Sequence, residues 1–336
     1  MAARASVVYA VLLPAALGAA ALSLAIGSGG WTAEAGILAL RGWRSAAAAL
    51  AGAALAVAGV LAQALFRNPL ASPDVIGTSA GATLGGQLAL VAHAAGSALL
   101  PVALPPELLL PLGCLGGAAA ALAVLLTCVA ASGGGALTIL LTGFIITAIV
   151  GAGSGLLTTL AAGHWELARA LAGFGYGSVA GKGPLHLALA LPLVVAGVTA
   201  AWWWSRTADL LLCGDEEAAA MGVRVGAARF WLLAWTALLT AAAVVAAGPL
   251  AFVGLIVPHA LRPYVGCEHR QLVPAAALGG ALFLLLADLV ARCFPLLAAA
   301  CGLGGTSELP LAVVTALVGG PLFLVLFARA RREGLL

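Results

Sequence analysis

The sequence predicts an all-α polytopic membrane protein of about ten transmembrane helices. Hydrophobic residues make up 63% of the chain and charged residues only 8%, where a soluble domain carries about 25% charged residues. Mean hydropathy is +1.15. The apolar residues fall in runs of about 20, the length that crosses a bilayer as a helix. The short alternating segments of an outer-membrane barrel are absent. The 336 residues thus form one transmembrane domain, 1–336, with room for about ten spans and short connections.

Taken in order, the apolar runs predict spans near 7–27, 46–65, 79–98, 108–131, 136–160, 184–204, 227–247, 250–262, 271–290 and 310–328. The first has an apolar run longer than a signal-peptide core and reads as an uncleaved span. The eighth is short for a span. Ten spans put both termini on one side. With the N-terminus inside, 10 of the 15 cations fall on the inner side, and Arg41, Arg44, Arg169, Lys182 and Arg292 on the outer. That bias marks the inner side as cytoplasmic, so both termini are expected there. Trp202, Trp203 and Trp204 end the sixth span, where an aromatic belt sits.

Five features interrupt the pattern. The first is Arg41-Gly-Trp-Arg44, within an outer loop over about 28–45. If helical, its spacing puts both cations on one face, as docking groups or as snorkelling side chains. The second is Gln63–Gly85, read as a cytoplasmic turn. Asn68-Pro69 and Ser72-Pro73 stop the helix before it. Gly77, Gly81 and Gly85 then recur every fourth residue, a stripe that lets helices approach closely in a membrane. The third is the outer loop over about 161–183. His164 to Arg169 reads as a short amphipathic helix. Phe174-Gly-Tyr176-Gly is too glycine-rich for a stable helix and is expected to line a passage. His164, Tyr176 and His186 are conceivable metal or haem contacts, though residues so placed are more often surface and packing groups.

The fourth feature is the loop over about 206–226. Asp215 reads as an N-cap, Glu216 and Glu217 as first-turn acids, and Gly222 as the stop. They predict a helix over 216–221, too short to stand alone, packed on its own chain or on another protein. The fifth is Gly248 to Arg270, where Pro258 and His259 sit in a short apolar helix. Beyond it, Asp288 and Arg292 stand i, i+4 and can pair. Cys293 and Cys301 share a predicted outer loop over about 291–309, which leaves a disulfide between them open. Cys114 and Cys128 read as packing residues, and Cys213 and Cys267 as reduced.

Several chemistries are missing. There is no GxxxxGK[ST], and the only lysine is Lys182, so the chain binds no ATP through a P-loop. No HExxH or GxSxG motif occurs. No catalytic residue, metal site or nucleic-acid partner is expected. Acids inside the predicted spans are nearly absent apart from Asp288, which argues against a proton-driven carrier.

Motifs along nearly the whole chain then become recognisable. AGVLAQALFRNPLASPDVIGTSAGA (58–82), GDEEAAAMGV (214–223), AGPLAFVGLIVPHALR (247–262), LLLADLVAR (284–292) and ELPLAVVTALVGGP (308–321) resemble, in this order, the FecCD family of permeases. These are membrane subunits of ABC importers for ferric siderophores, haem and cobalamin. The resemblance implies a cobalamin-permease-like fold in the bacterial inner membrane. It also implies pairing with a second copy or a paralogue, two ATPase subunits that bind ATP and Mg inside, and a periplasmic substrate-binding protein outside. It makes Gly214, Asp215, Glu216, Glu217, Ala218, Met221 and Gly222 the ATPase-coupling contact. By likeness to the family's cobalamin permease, Arg41, Arg44 and Arg292 are implied to dock the binding protein. Here Arg-Gly-Trp-Arg lacks the Leu-Pro that separates the family's cations, and the 293–308 loop is longer than usual. Gly77, Gly81, Gly85, Phe174 and Tyr176 are expected beside the pathway. The cargo implied is a ferric siderophore or haem, with cobalamin next. A stand-alone secondary transporter or channel is the competing reading, and it would need no ATPase partner.

Overall fold

The computed structural model describes residues 2–27, 30–31, 34–96, 105–132, 135–300 and 308–332. Among these, thirteen α-helices run in chain order. They are α1 (Ala2–Ala25), α2 (Ala35–Phe66), α3 (Thr78–Ala95), α4 (Pro106–Ala131), α5 (Ala136–Leu160), α6 (Trp165–Gly175), α7 (Pro184–Trp203), α8 (Ser205–Cys213), α9 (Asp215–Ala220), α10 (Val225–Ala247), α11 (Val253–Val265), α12 (His269–Ala300) and α13 (Leu311–Arg332). The strands Ile26–Gly27 and Gly30–Trp31 form a small antiparallel ribbon between α1 and α2. Each of the ten expected spans is matched by a helix. Seven of them, α1, α2, α4, α5, α7, α10 and α12, are long and apolar enough to cross a membrane.

The bundle is built around α2. Its sequence AAAALAGAALAVAG is rich in alanine, the best helix former, and its small side chains let neighbours come close. Most of α2 and α10 is buried, whereas α1, α4 and α5 show most of their surface outward. Two glycine contacts set the distances. A methyl on Gly52 would lie 2.0 Å from the Gly280 carbonyl oxygen of α12, and one on Gly59 would lie 1.7 Å from that of Gly254 in α11. Both neighbours are backbone, so a side chain at either glycine forces two helices apart.

The same device joins α3 to α4. Gly81 and Gly85 face Gly113 and Gly117, and methyls on Gly85 and Gly117 would lie 2.1 Å from the Gly113 and Gly81 carbonyl oxygens. Gly77 does something else. It adopts φ +86 as it ends a 3-10 turn over Pro73–Ile76 and leads into α3.

Several elements differ from expectation. Arg41 and Arg44 lie on α2 rather than in a loop, because the helix starts at Ala35. Arg292 and Cys293 likewise belong to α12, which runs on to Ala300. Cys301 lies outside the described residues. Phe174 and Gly175 complete α6. The Tyr176 amide donates to the Ala172 carbonyl at 3.1 Å, and the Phe174 ring packs over Gly86 of α3 with no room for a methyl between them, so contact overrides the glycine penalty. The coupling stretch is two helices, α8 and α9, instead of a loop with one.

The glycine contacts generate a paired prediction. Gly117→Ala should destabilise the protein by about 1–3 kcal/mol through overpacking. Gly116→Ala, one residue away with nothing within 4 Å of its methyl, should cost nothing and add up to about 1 kcal/mol, since alanine is the better helix former. Thermal unfolding in detergent compares the two, and equal melting temperatures would count against the tight α3–α4 contact.

Candidate coupling and pathway sites

Three groups of polar residues bear on the candidate sites. Two sit at opposite ends of α2, where Arg44 and Arg67 stand about 35 Å apart at 1.5 Å per residue.

At the Arg67 end, α9 is six residues long. Glu216, Glu217 and Met221 are exposed, and Ala218 is buried against the bundle. Gly214 precedes the helix at φ +134, and a methyl there would strike the Glu217 carboxylate. Gly222, at φ +86, ends it, with the Val223 amide donating to the Ala218 carbonyl at 2.9 Å. Asp215 was expected to cap α9. Instead it is the first helical residue and makes no cap hydrogen bond. Arg67 pairs with one of its carboxylate oxygens, and Arg229 with the other at 2.6 Å. Two guanidinium groups outbid a backbone amide for the same carboxylate. Arg67 also donates from Nε to the Leu211 carbonyl at 2.6 Å. It holds a left-handed backbone, φ 49 and ψ 33, a conformation that L residues other than glycine rarely keep. The end of α2 is thereby fastened to α8, α9 and α10.

At the other end, Asp288 of α12 is fully buried between two arginines. Arg44 of α2 donates to its Oδ1 from Nε and Nη2 at 3.0 and 2.8 Å. Arg292 donates from Nε to Oδ2 at 2.7 Å, the i, i+4 pair visible in the sequence. Arg44 also pairs with Glu308, just before α13, at 2.7 Å. Two cations thus meet two anions. Arg292 is 2% exposed and further donates to the Ser23 carbonyl at 2.9 Å. Arg41 donates to the Leu24 and Ala25 carbonyls at 3.1 and 2.7 Å, capping the C-terminus of α1, where the helix dipole favours a cation. The three arginines were expected to project outward together. Arg41 and Arg292 instead turn into the chain, since a buried carboxylate and bare helix carbonyls both need partners. Arg44 alone lines a cleft of about 380 Å3, with Arg169, Tyr176 and Glu308. Behind this cleft the Leu311 and Ala312 amides donate to the Gly177 and Tyr176 carbonyls, both at 3.2 Å. Lys182 is buried nearby and donates to the Val245 carbonyl at 3.2 Å, and burial pulls its amine below the usual lysine range.

The third group lies between these ends. A cavity of about 410 Å3 opens between the 3-10 turn, α3, α5 and the start of α13. Asp74, Ser79, Thr83, Thr147 and Ser154 line it. Sequence reasoning missed this group because it read the stretch as a cytoplasmic turn between two spans. The clue was the run of hydroxyls on α5, Thr147 and Ser154 at i, i+7, one face of a helix. His164 and Tyr176 are exposed and His186 is buried. Among the described residues no three His, Cys, Asp or Glu side chains are grouped to hold a metal.

This geometry has known counterparts. The model of the FecCD transport family matches residues 5–329. The Fe(3+) dicitrate transport system permease protein FecD of Escherichia coli (strain K12) is 35% identical over 282 residues, 83% of this chain and 81% of that protein. The hemin transport system permease protein HmuU of Yersinia pestis is 37% identical over 291 residues, 85% of this chain and 81% of that one. The cobalamin import system permease protein BtuC of Halobacterium salinarum is 34% identical over 281 residues, covering 83% and 69%. A solved structure described as of the metal-chelate ABC transporter type, in an inward-facing conformation, superposes with a TM-score of 0.83 at 27% identity, over 96% of this chain and 99% of that one. The chain belongs to the FecCD transport family and is a membrane permease of the ABC importer kind.

Proposed function

We propose that this chain is the membrane-spanning half of an ATP-driven importer, and that it passes a ferric siderophore or haem from a periplasmic binding protein to the cytoplasm by alternating access. Two copies pair around the passage. Two ATPase subunits supply ATP hydrolysis with Mg from below. Ten helices cross the bacterial inner membrane, with both termini in the cytoplasm. The distribution of cations supports this orientation, and the end holding Arg67, Arg229 and α9 is then the cytoplasmic one.

The observation that carries the reading is the fastening of α9. A helix of six residues does not persist alone, yet this one is clamped through Asp215 to Arg67 and Arg229 while Glu216, Glu217 and Met221 face outward. Such a helix suits a partner's groove. A push on it reaches α2, and through the glycine contacts α11 and α12, as a rigid displacement. Partner binding shifts the chain between states only by contacting them differently, and a stiff connection preserves that difference over the length of α2.

At the outer end, Arg169 offers a cation to an acidic face of the binding protein, and Arg44 borders the same cleft with its charge shared between Asp288 and Glu308, while Arg41 and Arg292 hold the surface in shape from behind. Gly77, Gly81 and Gly85 keep α3 against its neighbours, and Phe174 and Tyr176 close the upper wall. Cobalamin is the second reading for the cargo, supported by the match to a cobalamin permease.

Two outcomes are expected. Glu216→Arg with Glu217→Arg should insert normally, and ATP-driven uptake into proteoliposomes should fall at least about tenfold, the loss of about 1.4 kcal/mol of coupling. Undiminished uptake would remove α9 from the coupling path. Arg169 is exposed and makes no ion pair among the described residues, and Arg169→Glu should weaken binding-protein affinity at low salt, with the loss shrinking as salt rises. An affinity that ignores both substitution and salt would move the docking face elsewhere.

A further inference from the structure

The 3-10 turn Pro73–Ile76 is folded into the bundle. A methyl on Gly143 of α5 would lie 2.1 Å from the Val75 carbonyl oxygen, and one on Gly77 would lie 2.9 Å from the Ile146 side chain. Position 143 is seven residues beyond the start of α5 at 136, so the turn meets that helix about 10 Å from its end. Since α5 is one of the helices able to cross a membrane, Asp74 sits at membrane depth. An ionisable group there marks function by default, because burying it in hydrocarbon is costly.

Asp74 has no cationic partner among the described residues. The Ser72 hydroxyl donates to its Oδ2 at 2.8 Å, and Ser79 also bonds to the carboxylate. The carboxylate faces the 410 Å3 cavity. Across that cavity the Thr147 hydroxyl donates to the Gly143 carbonyl at 2.9 Å, and the Thr83 hydroxyl donates to the Ser79 carbonyl at 2.8 Å. Their protons are spent, so each presents only oxygen lone pairs to the cavity. Most other exposed side chains of α5 are apolar, with Ile145, Ile149, Leu156 and Leu160 outward, and the exposed Thr158 and Thr159 near its C-terminus donate to the Ser154 and Gly155 carbonyls of their own helix. The apolar side suits lipid, and the hydroxyl side suits water or cargo.

We propose that Asp74, Thr83, Thr147 and Ser154 form a cargo-contact site on the passage wall, rich in acceptors, in which Asp74, partly exposed to the cavity, is held as a carboxylate by cavity water and by the Ser72 and Ser79 hydroxyls. It favours chelates that present N–H or O–H donors and bear neutral or positive charge, and it disfavours polyanionic ones. The site deepens the importer reading and rests on it for the identity of the cargo.

The test places Ser154→Cys in the complete transporter in proteoliposomes. Labelling at position 154 by a cationic trimethylammonium and an anionic sulfonate thiosulfonate reagent is followed by mass spectrometry, each rate normalised to free cysteine. The cationic reagent should react at least about tenfold faster, within the range by which a charged cleft concentrates counter-ions. Asp74→Asn should bring the ratio close to one, and Asp74→Glu should restore it. A ratio indifferent to Asp74→Asn, or no labelling at 154 by either reagent, would overturn the site. In the same vesicles, a neutral ferric trihydroxamate competes with its carboxylated, anionic form for uptake. Asp74→Asn should raise the anionic share several-fold, and an unchanged share would overturn the selectivity. Failure of ATP-driven uptake with both chelates would strike the importer reading instead, and the labelling ratio would still decide the charge of the wall.

Discussion

Close backbone contact between helices is the constraint on which this structure depends. In a bilayer the hydrophobic effect does not drive helices together, since lipid tails are as apolar as leucine. Cohesion comes from packing and from shared polar groups. The chain meets that demand along α2, which touches α12 at Gly52 and α11 at Gly59 with only glycine between the backbones. The separation of these helices is fixed by van der Waals contact of main-chain atoms, which cannot be compressed. Side chains at the contact would give it compliance, and glycines give it none.

Stiffness of this sort gives meaning to the two ionic groups at the ends of α2. The Asp215 clamp sits partly in water, where an ion pair adds little stability and serves chiefly to orient. The Asp288 cluster is buried. Replacing it by apolar residues need not destabilise the fold, whereas removing a single member strands a charge, at a cost of about 3–5 kcal/mol. One end is therefore built to hold a shape that other molecules touch, and the other to admit only one arrangement of α1, α2, α12 and the approach to α13.

Much of this was legible in the sequence, and the gaps have physical causes. Hydropathy located each long helix because membrane insertion depends on composition over a window of about 20 residues. The Asp288–Arg292 pair was legible because it lies within one helix turn. Gly52 and Gly280, by contrast, stand far apart in the chain, and no local pattern predicts which glycines will face each other. Asp215 looked like a cap because capping is a local rule, but Arg67 arrives from a distant segment and wins the carboxylate. Asp74 lies in a stretch that reads, from its local pattern, as a cytoplasmic turn. Its turn is polar, and only the packing of α5 against it reveals the depth at which it lies.

The buried ionic cluster also imposes an order on biogenesis. Arg44 and Asp288 are 244 positions apart. At a synthesis rate of about 5–20 residues per second, Arg44 waits roughly 10–50 s for its counter-ion to emerge. Until then Arg44 must reach for the headgroups by stretching its side chain toward the interface, while Arg41 already has the Leu24 and Ala25 carbonyls of α1. The first half of the protein is held in an unfinished position until the second half is made, so a chain truncated before Asp288 carries exposed intramembrane charge, the kind of lesion by which quality control recognises incomplete membrane proteins.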